Sequence, residues 1–338
     1  MAAMSNIVDA PHVVVRAREK YCLALKETNK ALRHPIQVTA DSTLTAVLLL
    51  GLFETIAFDG WKNYHIWATH IQGATALLQL RGTHQFTHEL GIQLYLLFRN
   101  RLIQACIQQG IRVPSALTEV NSNFERNRVV GPYNSIQPVS LASIGFRIVD
   151  LCADIKSHVL TDSRTICHFA LDIKANLKAW ADLRSETFFE ISTAREAANI
   201  YFEDKKHVYS SVWGAQLWNS WRSLGILINQ IILDSLDHLL LHNQEIEHDV
   251  YSEALYSLRN LSQDVCISTP NLASSPRAPT MIWPLYIVLQ EARNVETVRS
   301  WAATQLQGIK TYMGIKQAAV LAADTWRESL TPHFNIFA

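Results

Sequence analysis

Residues 211–233 read SVWGAQLWNSWRSLGILINQIIL, and this stretch decides the class of fold that the chain adopts. Apolar residues recur at every third or fourth position, namely Trp213, Leu217, Trp221, Leu224, Ile228 and Ile231. That spacing matches the period of an α-helix, so it predicts one helix with a continuous buried stripe. Ser210 or Ser211 is the expected N-cap, because a serine side chain accepts a hydrogen bond from a first-turn amide.

The stretch 65–82, HIWATHIQGATALLQLRG, predicts a second apolar helix nearer the start of the chain. Its expected buried face consists of Ile66, His70, Gly73, Leu77 and Leu80. A glycine inside a helix is about 1 kcal/mol less favourable than alanine. We therefore expect another helix or a ligand to approach Gly73 closely.

Two further helices are predicted towards the end of the chain. The segment MIWPLYIVLQEA is expected to start a helix at Trp283-Pro284, since proline fits the first helical turn. Asn294 is the expected cap of the following helix. The apolar stripe of that helix comprises Val298, Trp301, Ala302, Gln305 and Ile309.

Composition supports an all-α fold over the whole chain. The 338 residues include only 12 glycines and 10 prolines, about half of their usual combined share. We find no strand-like alternation of useful length. Residues 119–140 and 268–280 are rich in Asn, Ser and Pro and predict two long loops. The sequence thus predicts a single large, multilayer helical domain over residues 1–338.

Charge and cysteine content argue against several partners. Thirty Lys and Arg residues balance thirty Asp and Glu residues, and no dense basic run marks a direct nucleic-acid contact. The five cysteines include no CxxC pair for zinc, and their odd number favours a reducing, intracellular compartment. The apolar run from Leu44 to Phe58 is too short to span a bilayer. We expect neither a membrane nor a nucleic acid as a direct partner.

Several of these segments together resemble a known family. They are LTAVLLLGLFETIAFDGWKNYHIWATHIQGATALLQLRG, LYLLFRNRLIQACIQQGIRVPSAL, VWGAQLWNSWRSLGILINQIIL, LSQDVCISTPNLA and WPLYIVLQEARNVETVRSWAATQLQGIKTYMGIKQAA. In order and spacing they resemble the regulatory domain of fungal zinc-cluster transcription factors, over about residues 40–325. The resemblance implies an all-α fold and a filamentous fungal source, often within natural-product gene clusters. It also implies that His70, Gly73 and Gly82 occupy helix-packing positions.

The sequence departs from that family in one respect. The family reads DNA with a six-cysteine cluster that holds two zinc ions and normally precedes the regulatory domain. Here only Cys22 precedes residue 100, so the sequence shown cannot form such a cluster. If this is the whole product, the helical domain acts without the DNA-reading module.

Familiar cofactor and metal signatures are missing from the sequence. It has neither GxGxxG nor GxxxxGK[ST] for a nucleotide cofactor, and no GxSxG turn of an α/β-hydrolase. Asp234, His238, His242 and Glu245 fall on one helix face with spacing that could hold a metal. A solvated polar face explains the same pattern more simply. We expect no cofactor and no metal.

Aromatic side chains are the other candidate feature. The group contains Trp61, Trp67, Trp213, Trp218, Trp221, Trp283 and Tyr286. At helical spacing such residues usually form core, yet they also suit the wall of an apolar pocket with a few polar groups. The candidate hydrogen-bond donors for such a pocket are His70, His65, Tyr64 and Arg222, and the sequence does not choose among them. For His70, a core histidine satisfied by a hydrogen bond is the simpler interpretation.

Two functional hypotheses remain. The favoured one is a cofactor-independent fungal natural-product enzyme that folds a small apolar intermediate for cyclisation, such as a Diels-Alder cycloaddition. Holding a reactive conformer lowers the barrier, and one donor that polarises a carbonyl lowers it further. The alternative is a non-DNA-binding transcriptional regulator or metabolite sensor. A homodimer fits either hypothesis; the location would be cytoplasmic for an enzyme and nuclear for a regulator.

Overall fold

A computed structural model describes residues 1–8, 10–58, 60, 64–128, 140–184, 189–193, 201–273 and 275–323. Its helices are α1 (Ala2–Val8), α2 (Pro11–Leu32), α3 (Asp41–Ile56), α4 (Tyr64–Arg81), α5 (Glu89–Gln109), α6 (Ser115–Arg128), α7 (Leu141–Lys156), α8 (Ser163–Asp182), α9 (Val212–Leu241), α10 (His248–Ser268), α11 (Pro270–Ala273), α12 (Ile282–Gln290), α13 (Glu296–Met313) and α14 (Lys316–Ala323). Strands β1 (Phe189–Thr193) and β2 (Lys205–Tyr209) complete the described elements, with 3₁₀ turns at Gln37–Thr39, Gly82–Phe86, Phe202–Asp204 and Ala278–Met281. The predicted all-α, multilayer architecture is confirmed.

Helix α9 is the central element of the fold. As predicted, Ser211 caps it, because the Ser211 hydroxyl accepts a hydrogen bond of 3.0 Å from the Gly214 amide. Helices α8 and α10 pack along its two sides, and α7 and α12 complete the surroundings. Its side chains are therefore buried on every face, including Ile226 and Ile228. Trp213, in the first turn of α9, is an exception to the predicted stripe, since this residue is 45% exposed.

By length and composition, α9 is also apolar enough to cross a membrane. However, 67% of its most apolar window is buried inside the fold. The core position accounts for this apolar character, because a helix that is surrounded by other helices has no face to offer to water.

The N-terminal helices form a second group around α3. This helix packs between α2 and α4 and also contacts α5, which in turn packs on α7. Leu44, Leu78 and Phe98 are fully buried between these helices. The α5–α7 contact joins the N-terminal group to the layer that surrounds α9.

The two ends of the described chain meet. Helix α1 packs on α13, and α14 packs on α3. The side-chain amide of Asn6 donates to the carbonyl oxygens of Ile56, at 3.0 Å, and Gly314, at 2.7 Å. Asn6 thereby ties the first helix both to the end of α3 and to the turn between α13 and α14.

Both predicted loops contain more helix than expected. Residues 119–128 continue α6, because Leu117, Val120 and Phe124 bury one face of this otherwise polar helix. Residues 129–139 lie outside the described part of the chain. In the second segment, α11 and a 3₁₀ turn fold inward and bury Leu272 and Ala278 completely.

A short strand pair accompanies the helices of the all-α fold. Strands β1 and β2 form an antiparallel pair, in which Phe189 lies opposite Tyr209 and Ile191 opposite His207. Each strand has only five residues, so its alternation is too brief to stand out in the sequence. Strand β2 packs on α9 and α10 and brings polar side chains to the core.

The two C-terminal helix starts give different results. Helix α12 begins at Ile282 with Pro284 in its first turn, as predicted. The predicted cap at Asn294 is wrong, since Val295 occupies the N-cap position of α13. Asn294 instead points into the core, where its side-chain amide donates to the Val288 carbonyl at 2.9 Å.

Candidate functional site

A chain of three polar side chains crosses the N-terminal helices. Tyr21 of α2 lies between Glu54 of α3 and His70 of α4. The Tyr21 hydroxyl oxygen is 3.1 Å from His70 Nε2, and the Glu54 carboxylate lies close enough to raise the pKa of Tyr21. The Tyr21 ring stacks on Phe53, with centroids 4.4 Å apart, so the hydroxyl is held in place by packing.

The electrostatics of this chain assign its protons. Burial and the neighbouring Glu54 carboxylate raise the pKa of Tyr21, so the phenol keeps its proton near pH 7. The 3.1 Å contact joins the Tyr21 hydroxyl to Nε2 of His70, and the tautomer of the imidazole decides which of the two donates. Burial lowers the pKa of His70 against the opposing pull of Glu54, so the imidazole is neutral near pH 7. His70 is thus a half-buried histidine with a hydrogen-bonding partner, which is close to the simpler interpretation of the sequence.

The close helix approach predicted at Gly73 occurs at a different glycine. Gly73 is exposed, and a Cβ there would lie 3.9 Å from Val47 Cγ1, which is ordinary contact. A Cβ on Gly51 would lie only 3.4 Å from His70 Cβ, so α3 and α4 meet at Gly51. Leu80 is exposed as well, whereas Ile71, Leu77 and Leu78 are the large buried apolar residues of α4.

Gly82, the other packing glycine implied by the family resemblance, is not closely packed either. Nothing lies within 4 Å of the position of its Cβ. Its φ angle is +53°, in the left-handed region where glycine is favoured, so its contribution is to the turn after α4.

A second polar cluster surrounds Arg222, which is fully buried in the middle of α9. One terminal nitrogen, Nη1, donates to the Tyr209 hydroxyl at 2.8 Å and to Asn219 Oδ1 at 3.3 Å. The other, Nη2, lies 3.2 Å from His207 Nδ1. Ser268 of α10 donates to Asn219 Oδ1 at 2.6 Å, so the cluster binds the β2 strand to both central helices.

Charge in this cluster is distributed unequally. Burial and the neighbouring Arg222 cation lower the pKa of His207 to about 3, so this histidine is neutral and its Nδ1 accepts from the guanidinium. Asp264 of α10 supplies the opposite charge, with Oδ2 at 3.5 Å from Arg222 Nε. Burial raises the pKa of Asp264 while Arg222 opposes the shift. The N–H groups of Arg222 are thus directed at acceptors within the protein.

The predicted aromatic residues fall into different environments. Trp218 is buried and packs edge-on against Trp180 and Trp221, at centroid distances of 5.8 and 5.3 Å. The Trp221 indole donates to the Leu177 carbonyl at 2.9 Å. Trp283 and Tyr286 are buried in α12 with ring centroids 6.3 Å apart, whereas Trp213 is on the surface.

Other candidates lie outside what the structure describes. Trp61 is one of them, and so are the side chains of Tyr64, His65, Ile66 and Trp67. For Tyr64 and His65, the donor role remains a prediction. For His70 and Arg222 the donor role also remains a prediction. His70 Nε2 already contacts the Tyr21 hydroxyl, and Arg222 already donates to Tyr209.

The polar face at the end of α9 is engaged with neighbouring helices. Asp234 and Asp237 each receive a bond of 2.6 Å from Arg293 Nη2. His238 Nδ1 lies 2.9 Å from the Ser163 hydroxyl, while His242 is exposed. Within the described ranges, no group of three or more His, Cys, Asp or Glu side chains is arranged to hold a metal ion.

Sequence reasoning missed the partners of both clusters. Tyr21 gives no signal, but Glu54 is the one carboxylate between Thr43 and Phe58, and an acid in such an apolar run suggests a buried partner. His207 and Tyr209 are two residues apart, which places them on one face of a strand. This two-residue spacing was the feature of the sequence that could have predicted a strand with polar residues on one face.

Comparison with known proteins agrees with the N-terminal part of the resemblance. Residues 2–113 match the family described as the fungal specific transcription factor domain. This range covers α1 to α5 and includes Tyr21, Glu54 and His70. The resemblance predicted from sequence is therefore confirmed over that part of the chain.

One curated relative is an uncharacterized protein of Emericella nidulans, 26% identical over 109 residues. The alignment covers 32% of this chain and 23% of the relative, so the matched part spans about a quarter of that protein's length. No solved structure matches the chain. A fungal transcription-factor-like domain is compatible with an intracellular or nuclear location.

Proposed function

We propose that this chain is a regulatory domain of a fungal transcription-control system that acts through a protein partner or a metabolite. The observation that carries the proposal is the match of residues 2–113 to the fungal specific transcription factor domain. The balanced charge of the chain, with no dense basic run, supports contact of this domain with a protein or a metabolite rather than with DNA. A nuclear site of action follows from this role.

The enzyme hypothesis is the competing proposal. In it, the helical body holds a small apolar intermediate for cyclisation without cofactor or metal, with His70 or Arg222 as a polar contact. The family match favours the regulator, because it concerns transcriptional proteins. The enzyme hypothesis requires a small natural-product intermediate as ligand, whereas the regulator binds a metabolite or a partner protein, and both allow a homodimer. The deciding difference is therefore what the cell loses when the protein is absent.

A deletion strain separates the two proposals. If the chain is a regulator, transcripts of its target genes change and their products fall together. If it is a cyclising enzyme, transcripts stay the same and an uncyclised precursor accumulates. Sequencing of RNA and mass spectrometry of the same cultures measure both outcomes, and the second outcome would overturn our proposal.

A reporter assay tests regulation directly. The full chain is fused to an unrelated DNA-binding domain, and transcription from the matching promoter is measured. We expect altered transcription with the wild-type chain and with Gly73→Ala, whose added Cβ meets only ordinary contact at 3.9 Å. Gly91→Ala should abolish the effect, since its Cβ would lie 2.0 Å from the Gln85 carbonyl oxygen and would displace α5. Equal reporter output with and without the chain would count against regulation.

A further inference from the structure

Helix α2 concentrates positive charge in a chain whose overall charge is zero. Its residues, Pro11–Leu32, include five Lys or Arg residues and two Glu residues, which gives a net charge of +3. The helix lies at the edge of the fold and is attached through a narrow stripe that includes Ala17, Tyr21 and Thr28. Most of its surface therefore faces solvent.

The cations lie on the outer side of this helix. Arg16, Lys20, Lys26 and Lys30 are all exposed. Across the portion of the chain that the structure covers, none of the four forms an ion pair with a carboxylate within 4 Å. We call these four residues, together with Val15 and Leu23, the outer face of α2.

The charges on the outer side of α2 are only partly balanced within the helix. Arg16 and Lys20 are four residues apart, and so are Lys26 and Lys30, and like charges at this spacing repel each other. Two exposed carboxylates on the same side, Glu19 and Glu27, stand three residues from Arg16 and Lys30 and offset part of this repulsion. The four cations therefore exceed the two carboxylates by two charges, which a binding partner can neutralise.

Apolar side chains lie among the cations. Val15 is 60% exposed and Leu23 is 56% exposed, and Leu23 follows Arg16 and Lys20 along the outer face. A nucleic-acid backbone would pair with the cations but would leave these two side chains in water. A polypeptide that alternates acidic and apolar residues satisfies both kinds of group.

We propose that the outer face of α2 binds an acidic, amphipathic polypeptide segment of a partner protein. Carboxylates of the segment pair with Arg16, Lys20, Lys26 and Lys30, and its apolar side chains cover Val15 and Leu23. The cations span about 21 Å along the helix axis, which corresponds to roughly six residues of extended chain or four helical turns of a partner. This binding surface does not depend on the regulatory role proposed above.

The first experiment measures peptide binding to the full chain. The probe is a fluorescent synthetic 20-residue peptide that alternates Glu with Leu in short blocks, and the readout is fluorescence anisotropy at low and high salt. Lys20→Gln/Lys26→Gln/Lys30→Gln should weaken binding about tenfold and flatten its salt dependence, because the charge attraction is lost. Leu23→Ser should weaken binding several-fold at every salt concentration.

The control keeps the same change in net charge but places it elsewhere. Arg126→Gln/Arg147→Gln/Lys178→Gln removes three exposed cations outside α2 and should leave the affinity unchanged. Circular dichroism and thermal melting check that every variant is folded. An equal loss of affinity in the control triple would show that only net charge matters and would overturn the proposal.

The second experiment reverses the charges. Lys20→Glu/Lys26→Glu/Lys30→Glu should lose the acidic peptide and gain binding to a matched peptide in which Lys replaces Glu. A peptide in which Gln replaces Glu should bind the wild-type chain weakly.

Two outcomes would overturn the proposal. If the wild-type chain binds a 20-base-pair DNA more tightly than the acidic peptide, the outer face of α2 is a nucleic-acid site instead. If the chain binds the acidic and Gln peptides equally well, it does not recognise charge. None of these outcomes depends on transcription, so each is distinct from failure of the reporter assay.

Discussion

The hydroxyl of Tyr21 lies 3.1 Å from Nε2 of His70, although 49 residues separate them in sequence. This contact joins α2 to α4, and the Glu54 carboxylate of α3 lies near enough to the Tyr21 hydroxyl to raise its pKa. The outermost helix of the N-terminal group is therefore held by a polar chain as well as by the stacking of Tyr21 on Phe53.

Replacing Tyr21 with Phe tests this polar chain. The variant keeps the ring stack but leaves the buried Glu54 carboxylate without the phenol, so the free energy of unfolding should fall by about 1–3 kcal/mol. Urea denaturation measures the change. Tyr256→Phe, at a residue that is 69% exposed, is the matched control and should change stability by less than about 0.5 kcal/mol. Equal stability of the two variants would refute the structural role of the chain.

Gly314→Ala should be strongly destabilising. The φ angle of Gly314 is +66°, and an added Cβ would lie 2.0 Å from the Ala3 carbonyl oxygen. We expect a loss of about 1–3 kcal/mol from backbone strain, with more from displacement of α1. Thermal unfolding measures the effect.

Gly73→Ala is the matched control substitution and should change the free energy of unfolding in the opposite direction. Gly73 lies inside α4 with its nearest prospective neighbour at 3.9 Å, so alanine should stabilise the fold by up to about 1 kcal/mol. If Gly73→Ala instead destabilises the fold, a neighbour must approach Gly73 closely, as the sequence suggested.

His207 should make the fold sensitive to acid. Its pKa is about 3 in the folded chain, below the ordinary value of 6.5, so the folded state binds fewer protons than the unfolded state between these values. Stability is fully present above about pH 6.5 and declines as the pH falls towards 3, by up to about 1.4 kcal/mol per pH unit. His207→Gln should reduce this slope in urea denaturation at pH 7, 6 and 5. His248→Gln, at an exposed histidine, should preserve it.

Asp234 should have the opposite effect from His207 on the pH dependence of stability. Burial raises its pKa to about 6 despite the attraction of Arg293, so the folded state binds more protons than the unfolded state between about pH 4 and 6. This carboxyl therefore reduces stability as the pH rises through that range. Relative to wild type, Asp234→Asn should gain stability from pH 4 to pH 7. The same stability difference at every pH would contradict the assignment, and Asp182→Asn, at an exposed residue, serves as the control.

Local periodicity was sufficient for the class of fold and for the position of its main helix. Ser211 and the apolar spacing after it predicted the start of α9 correctly. Periodicity gives the direction of a side chain but not what packs there, so Trp213 was assigned to the buried stripe although it is 45% exposed. The close approach of α3 and α4 was misplaced for the same reason, since Gly51 rather than Gly73 makes it.

The candidate site was predicted only in part, because its contacts are distant in sequence. His70 and Arg222 were identified as polar residues on apolar helices. Their partners Tyr21 and His207 lie on other elements, and no local pattern relates a residue of α2 to one of α4. The outer face of α2 was missed because its cations are spaced by helical turns rather than by consecutive positions.

The contact of Asn6 with Gly314 closes a loop of 308 residues, and this has a consequence for biosynthesis. At a typical ribosomal rate, roughly 15–60 s pass between synthesis of the first helix and synthesis of its docking partner. During this interval α1 lacks α13, the helix on which it packs, and Asn6 lacks one of its two acceptor carbonyls. Truncations that remove Gly314 should therefore leave α1 undocked and lower the stability of the fold that remains.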